Sequence, residues 1–438
     1  METDLLGNFD IYINDGNYGG IYPEKSLFTN AGVPFLSASD FSGKHFNFHG
    51  IKYVSEELHY DLLTKGHLKD GDIIIVVRGN GIGKVGYFDN FGFECNLNAQ
   101  LAFIRTNPEE LCSEFLYYLF SSDSYQKLIR KFGSGSAQPQ LPINRLKLVP
   151  VIKIHIYTQR GIAAVLSALD DKIELNNQIN TELEAMAKTL YDYWFVQFDF
   201  PDENGKPYQS SGGKMVFNET LKREIPVGWE VSNILEISEL IGGGTPSTKN
   251  KLFWGGELPF FTPSDADNSI FSISTLQNIT SEGLLSSSTK LFDKGIVFLT
   301  ARGSVGKIMI SSTKMAMNQS CYALKSKTAS FVYLYFTAKQ MVGYLHAKSS
   351  GSIFNAIVSA DIKFTPVVNV PLNLINLFDE KMISLFDKIL INLKQNQELA
   401  QLRDWLLPML MNGQVRVGSG EYEREEESLG MVAAGKAD

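Results

Sequence analysis

Most of this chain is written twice. Val33-Pro34-Phe35-Leu36-Ser37-Ala38-Ser39-Asp40 returns as Leu258-Pro259-Phe260-Phe261-Thr262-Pro263-Ser264-Asp265, a shift of 225. Thr64-Lys65 returns as Thr289-Lys290 at the same shift, Arg78-Gly79 as Arg302-Gly303 at 224, and Gly83-Lys84 as Gly306-Lys307 at 223. From Gly135 onward the shift locks at 216: Gly135-Ser136 matches Gly351-Ser352, Pro150 matches Pro366, and Asp171-Lys172-Ile173 matches Asp387-Lys388-Ile389. A drift of one residue at a time reports loop deletions, and a long run at one fixed shift reports a duplicated fold. The 438 residues are therefore read as two copies of one unit, not as a single large core.

Each copy has two parts. The first carries short apolar runs, such as residues 72–77, 85–88 and 296–300, broken by Gly, Asn and Asp, which read as strands and tight turns. The second is helical. Heptad positions fall at Ile162, Leu166, Leu169, Ile173, Asn176, Asn180, Leu183, Ala187, Leu190 and Trp194, and again at Phe378, Met382, Leu385, Ile389, Asn392, Asn396, Leu399, Arg403, Leu406 and Leu410. The expected fold is α+β, with two strand-rich domains related by the repeat and separated by two long antiparallel coiled-coil helices. The boundaries expected are a first domain at 1–155, a helix at 156–196, a surface linker at 197–226, a second domain at 227–371, a helix at 372–415 and a disordered acidic tail at 416–438. A buried Asn in a coiled coil is costly unless it meets a polar partner, so the favoured register sets Asn176 opposite Asn396 and Asn180 opposite Asn392. A parallel pairing would also align the Asn residues. The antiparallel one is preferred because it relates the repeats by a two-fold axis. In that register Leu169 meets Arg403, whose head should reach solvent along its apolar stem.

Charge is distributed unevenly along the chain. Residues 1–150 hold 13 basic and 17 acidic side chains, whereas residues 226–370 hold 12 and 9, against a net charge of -8 overall. A general nucleic-acid-coating protein is thereby excluded, and any DNA binding must come from local patches. Cys95, Cys112 and Cys321 are too few and too far apart for a disulfide framework or a thiolate metal site. Neither a membrane span nor a signal peptide is legible, so a cytoplasmic protein with no membrane partner is expected.

Residues 159–180, QRGIAAVLSALDDKIELNNQIN, followed by Leu183-Glu184-Ala185-Met186-Ala187 and Tyr191-Asp192-Tyr193-Trp194-Phe195, resemble the central conserved helix of the specificity (S) subunits of type I restriction-modification systems. Phe198-Asp199-Phe200-Pro201 and Ile225-Pro226-Val227-Gly228-Trp229-Glu230-Val231 resemble the start of that family's second target-recognition domain. The resemblance covers the chain to about Val415. It implies two target-recognition domains that read the halves of a bipartite double-stranded DNA target. It also implies assembly with two methyltransferase (M) subunits and with restriction (R) subunits. The catalysis, with its S-adenosylmethionine, ATP and Mg, would belong to those partners, leaving this chain non-catalytic and without a cofactor of its own.

Arg78-Gly79-Asn80-Gly81-Ile82-Gly83-Lys84 and its echo Arg302-Gly303-Ser304-Val305-Gly306-Lys307 look superficially like phosphate-cradling loops. A P-loop needs a Gly five positions before its last Gly and a Ser or Thr after the Lys; Arg78 and Val85, and Ala301 and Ile308, stand there instead. Two readings remain: a plain strand–turn–strand, or a turn whose Arg78, Lys84, Arg302 and Lys307 touch DNA phosphates. Residues shared by two domains that read different half-sites cannot supply the difference, so base choice must lie where the copies diverge. Those stretches are residues 14–25, 43–49 and 133–140 in the first domain and 242–254, 265–268 and 349–355 in the second. Within or beside them Lys25, Lys44, Ser136, Gln138, Gln140, Lys249, Lys251, Ser352 and Asn355 are the candidate DNA contacts, against the alternative of ordinary solvated loops.

Other chemistry finds little support. His45 and His49 have metal-ligand spacing only on a helix, which the surrounding Phe and Gly residues disfavour, and His59 and His67 add no ligand motif; no metal site is expected. Pro201-Asp202 lacks the downstream acidic-x-Lys of a nuclease, and no Asp/Asn-Pro-Pro-Tyr methyltransferase motif occurs. A single-chain recognition and methyltransferase or nuclease enzyme is the disfavoured alternative. A duplicated helical scaffold without DNA function would not need diverging loops.

Overall fold

The computed structural model describes residues 2–17, 22–89, 91–134, 139–328, 330–348 and 356–417. The expected acidic tail lies almost wholly outside the described residues, as do Ser136, Gln138, Ser352 and Asn355. The chain forms two compact units, Met1–Ile173 with Glu398–Asp438, and Glu174–Gln397. Each long helix is thus shared between units and is not a separate body.

In the first unit a four-stranded antiparallel sheet runs in the order Ile11–Asp15, Leu101–Thr106, Asp72–Val76, Val85–Phe88. A second sheet places Val33–Leu36 beside Cys95–Leu97 in parallel, with Lys52–Val54 and His67–Leu68 at its edges. The second unit repeats this plan. Ser238–Gly242, Cys321–Ser326, Val297–Thr300 and Ile308–Ser311 follow the first order, extended by Phe271–Ser272, and Trp254–Phe261 lies parallel to Ala316–Met317. The central strands are buried throughout, as their continuous apolar runs require. Both units close on themselves with a short antiparallel pair, Thr3–Leu5 with Pro150–Ile152 and Glu230–Asn233 with Pro366–Asn369.

The repeated octapeptide at 33–40 and 258–265 has a structural job. In Ser37-Ala38-Ser39-Asp40, Asp40 Oδ2 accepts from Ser37 N and Ser37 Oγ, both at 2.7 Å. In Thr262-Pro263-Ser264-Asp265, Asp265 Oδ2 accepts from Thr262 N at 2.8 Å and Thr262 Oγ1 at 2.7 Å. A carboxylate closing a turn onto the backbone is a local device that any copy of the fold needs, whatever it binds.

The long helices are Ile156–Tyr191, prolonged by a wider turn over Asp192–Val196, and Leu372–Met411. In the first unit Ile162, Ala163, Leu166, Leu410 and Met411 join the core built on Phe115, Leu116 and Phe120 of helix Ser113–Ser121. In the second, Trp194, Phe195 and Phe378 pack with Tyr333 and Phe336 of helix Phe331–Lys348. Burial of such large side chains is worth roughly 1.5–3 kcal/mol each, which is why the helices belong to the domains.

The linker expectation needs correction. Residues 197–226 are folded: Met215–Asn218 and Arg223–Pro226 form a hairpin, and Phe198, Phe200 and Ile225 are buried. Phe200 stacks on Tyr208 and on Trp229 at 4.8 and 4.9 Å between ring centroids. Asp199 accepts from Ser210 N at 2.7 Å and Ser210 Oγ at 2.5 Å. The Gly, Ser and Pro content reflects tight turns, while a few aromatic anchors fix the path.

Candidate nucleic-acid interface

The two Arg-Gly…Gly-Lys turns occupy the same place in their sheets. Val77 N and Arg78 N donate to Gln100 O at 2.8 and 3.3 Å; Ala301 N and Arg302 N donate to Ser320 O at 2.8 and 3.1 Å. Val76 N and Thr300 N donate to the carbonyls of Lys84 and Lys307, each at 2.9 Å. Gly79 and Gly303 have φ of 94° and 80°, and Gly83 and Gly306 have 88° and 85°, a region that side chains with a Cβ seldom adopt. The repeated glycines therefore set a backbone path.

The basic side chains of the two turns differ in their surroundings. Arg78 Nη1 donates to Ala99 O at 2.8 Å and Nη2 meets Asp15 Oδ2 at 3.4 Å. Lys84 Nζ donates to Ala38 O at 2.9 Å and to Phe41 O, and lies 4.6 Å from the centroid of the Phe41 ring. Lys307 Nζ donates to Asn268 Oδ1, a residue of a divergent stretch. Arg302 is exposed, and its side chain makes no hydrogen bond or ion pair among the described residues.

Of the other candidates, Lys25 is exposed on the short turn Lys25–Leu27, and Lys249 and Lys251 are exposed on either side of Asn250. Asn250 caps the turn Lys251–Phe253 by accepting from Leu252 N at 3.1 Å. Gln140 is exposed and pairs its backbone with Ser134 through two 2.8 Å bonds. Lys44 is paired within the fold: its Nζ is 2.5 Å from Glu114 Oε1 and within 5.6 Å of the Tyr87 and Tyr118 ring centroids, so it joins a hairpin turn to a helix.

In the second unit the long helices meet through their Asn residues. Asn176 Nδ2 donates to Asn396 Oδ1 at 2.9 Å, Asn396 Nδ2 to Asn177 Oδ1 at 2.8 Å, and Asn392 Nδ2 to Asn180 Oδ1 at 2.9 Å. The direction is antiparallel. Asn180 Nδ2 and Asn392 Oδ1 have no partner among the described residues. Asn392→Leu alone should then cost about 1–3 kcal/mol by stranding the Asn180 amide. Adding Asn180→Leu should recover that loss while weakening the choice of register, which urea midpoints of the single and double variants would report. Equal losses in both would contradict this.

His59, His67 and Glu94 bring one potential ligand atom each within 4.8 Å of one another. The hydrogen bonds around His59 argue against a metal there. Asn17 Nδ2 is fixed as a donor by the carbonyls of Lys65 at 2.8 Å and Leu97 at 3.3 Å, and it also reaches Asn96 Oδ1. Asn96 Nδ2 must then face His59 Nδ1, at 2.9 Å, which makes that nitrogen the acceptor and puts the proton on Nε2, 3.1 Å from Glu94 Oε2. A metal would have to displace that proton. The His59 and His67 rings are also stacked 17° from parallel with centroids 4.1 Å apart, so their in-plane lone pairs do not converge. Burial holds His59 below its ordinary value of 6.5, opposed by the Glu94 hydrogen bond. A lowered pKa favours the neutral fold, so this stability is full above about pH 6.5 and is lost as pH falls toward the folded pKa. The wild type should lose more thermal stability between pH 7 and pH 5.5 than a His59→Gln variant; parallel curves would contradict the assignment.

Residues 16–185 and 226–403 each match the family described as type I restriction modification DNA specificity domain. The chain belongs to that family. It is 27% identical over 406 residues to the type I restriction enzyme HindI specificity subunit of Haemophilus influenzae, covering 80% of this chain and 88% of that one. It is 28% identical over 413 residues to the MjaIX specificity subunit of Methanocaldococcus jannaschii, covering 91% of each. Its fold is that of the type I restriction-modification S subunit from M. genitalium, with a TM-score of 0.59 at 17% identity over 93% of this chain and 95% of that one. Within this specificity-domain family frame, sequence reasoning missed Asp15 beside Arg78 and Asp170 beneath Arg403. A charged residue ending the strand Ile11–Asp15 was the available signal for the first.

Proposed function

We propose that this chain is the specificity subunit of a type I restriction-modification enzyme, each domain reading one half of a bipartite duplex DNA target. What supports the reading most is the duplication itself: two copies of one fold keep their turns and cores while their polar loops diverge. In the same reading the continuous helix Ile156–Tyr191, 36 residues or ~54 Å at about 1.5 Å per residue, is the spacer that fixes the separation of the half-sites. Two methyltransferase subunits bound to the chain would supply adenine methylation from S-adenosylmethionine, and restriction subunits would supply ATP- and Mg-dependent translocation and cleavage, in the cytoplasm. The chain contributes recognition without catalysis. Each wrong base pair costs about 1–3 kcal/mol, so two linked domains reach a discrimination that one reading three or four pairs cannot.

The test is methyl transfer to genomic DNA by the partner methyltransferase with and without this chain. Methylation confined to one split motif, and absent without the chain, is expected. Methylation by the chain alone, or by the partner alone at the same motif, would contradict the reading.

A further inference from the structure

We propose that the two domains hold DNA unequally, the second gripping phosphates through Arg302 while the first neutralises the matching Arg78 within its own fold. The inference rests on the DNA-reading function and goes beyond it. Arg78 and Arg302 stand two residues past Val76 and Thr300, which pair with Leu101 and Cys321 on equivalent strands. Those strands pair in turn with Ile11–Asp15 and Ser238–Gly242, where Asp15 faces Ala102 and Gly242 faces Tyr322. Asp15 and Gly242 are therefore counterparts. The next residues confirm the alignment: a Cβ on Gly16 would lie 1.9 Å from Asn98 O, and one on Gly243 2.1 Å from Asn318 O.

Asp15 lies 3.4 Å from Arg78 Nη2 and 3.8 Å from Lys65 Nζ. The second domain has Gly242 at that position, and among the described residues no carboxylate pairs with Arg302. Residues 71–144 hold six basic and seven acidic side chains, whereas the matching residues 295–360 hold seven basic and none acidic. A cation already paired must leave its partner to meet a phosphate and gains little from doing so. An unpaired one displaces condensed counterions and gives the affinity its dependence on salt. Shared turns thus need not make shared contacts.

Reciprocal substitutions test this on the full chain. The probe is a duplex lacking the methylated motif, with affinity measured against salt concentration. Gly242→Asp restores the missing carboxylate without removing a cation, and there is space for it, since nothing lies within 4 Å of a Cβ at Gly242 and its φ is ordinary. It should flatten the log–log slope by up to about 0.9, as should Arg302→Ala. Asp15→Asn releases Arg78 and should steepen the slope and tighten binding. Unchanged slopes in Gly242→Asp and Asp15→Asn would overturn the proposal. Equal losses for Arg78→Ala and Arg302→Ala would overturn it too. A wild-type chain with no salt-dependent affinity for any duplex would instead refute the DNA-reading function, a separate result.

Discussion

Asp170→Ala should be among the most damaging single substitutions in the first unit, lowering its stability by about 2–4 kcal/mol and its thermal midpoint by roughly 5–10 °C. Asp170 Oδ1 accepts from Arg403 Nη1 at 2.6 Å and Oδ2 from Tyr118 Oη at 2.8 Å. The carboxylate is 15% exposed and Arg403 30% exposed, so removing the acid strands a half-buried guanidinium and a buried phenol together. Tyr118 is pushed well above its ordinary pKa, by burial first and then by Asp170, and stays a hydrogen-bond donor. Arg403→Met alongside Asp170→Ala should restore part of the loss, because the stranded charge goes with its partner. Tyr118→Phe alone should cost only about 1 kcal/mol. A midpoint unchanged in Asp170→Ala would show that the contact is ornamental.

Arg403 also shows where sequence reasoning stops. The heptad count placed it in the seam against Leu169, and the expected outcome was a head reaching solvent. Its guanidinium instead binds Asp170, one residue beyond the predicted facing position, and Asp404 at 2.8 Å. A heptad fixes which faces meet, not which polar neighbour lies within reach of a long side chain. The Asn residues were legible because their amides are short and sit in the seam itself, so register alone decides their partners. Even there Asn177, outside the seam, takes the second hydrogen bond of Asn396.

The repeat exposed the fold plan because insertions and deletions fall in turns while strands and helices keep their spacing. The roles of the repeated basic residues were not legible. Arg78 and Arg302 match in sequence, but their difference lies on another strand, sixty or more residues away in the chain. Lys84 was hidden for the same reason, since its acceptors Ala38 O and Phe41 O are backbone atoms that carry no signature. Residues 197–226 misled through composition: turn-forming residues dominate by number, while Phe198, Phe200 and Ile225 decide the path.

Exchanging residues 1–153 for those of a relative that methylates another sequence tests the account most directly. The boundary keeps strand Thr3–Leu5 with its partner Pro150–Ile152 and leaves Ile162, Ala163 and Leu166 to receive the incoming core. The incoming domain must therefore supply its own version of helix Ser113–Ser121. With the loops of one domain replaced and the helix Ile156–Tyr191 untouched, mapping methylated adenines across the genome should show one half of the motif converted to the donor's sequence. The other half and the spacer length should be unchanged. A motif altered in both halves, or one whose spacer changes, would contradict the claim that each domain reads its own half-site.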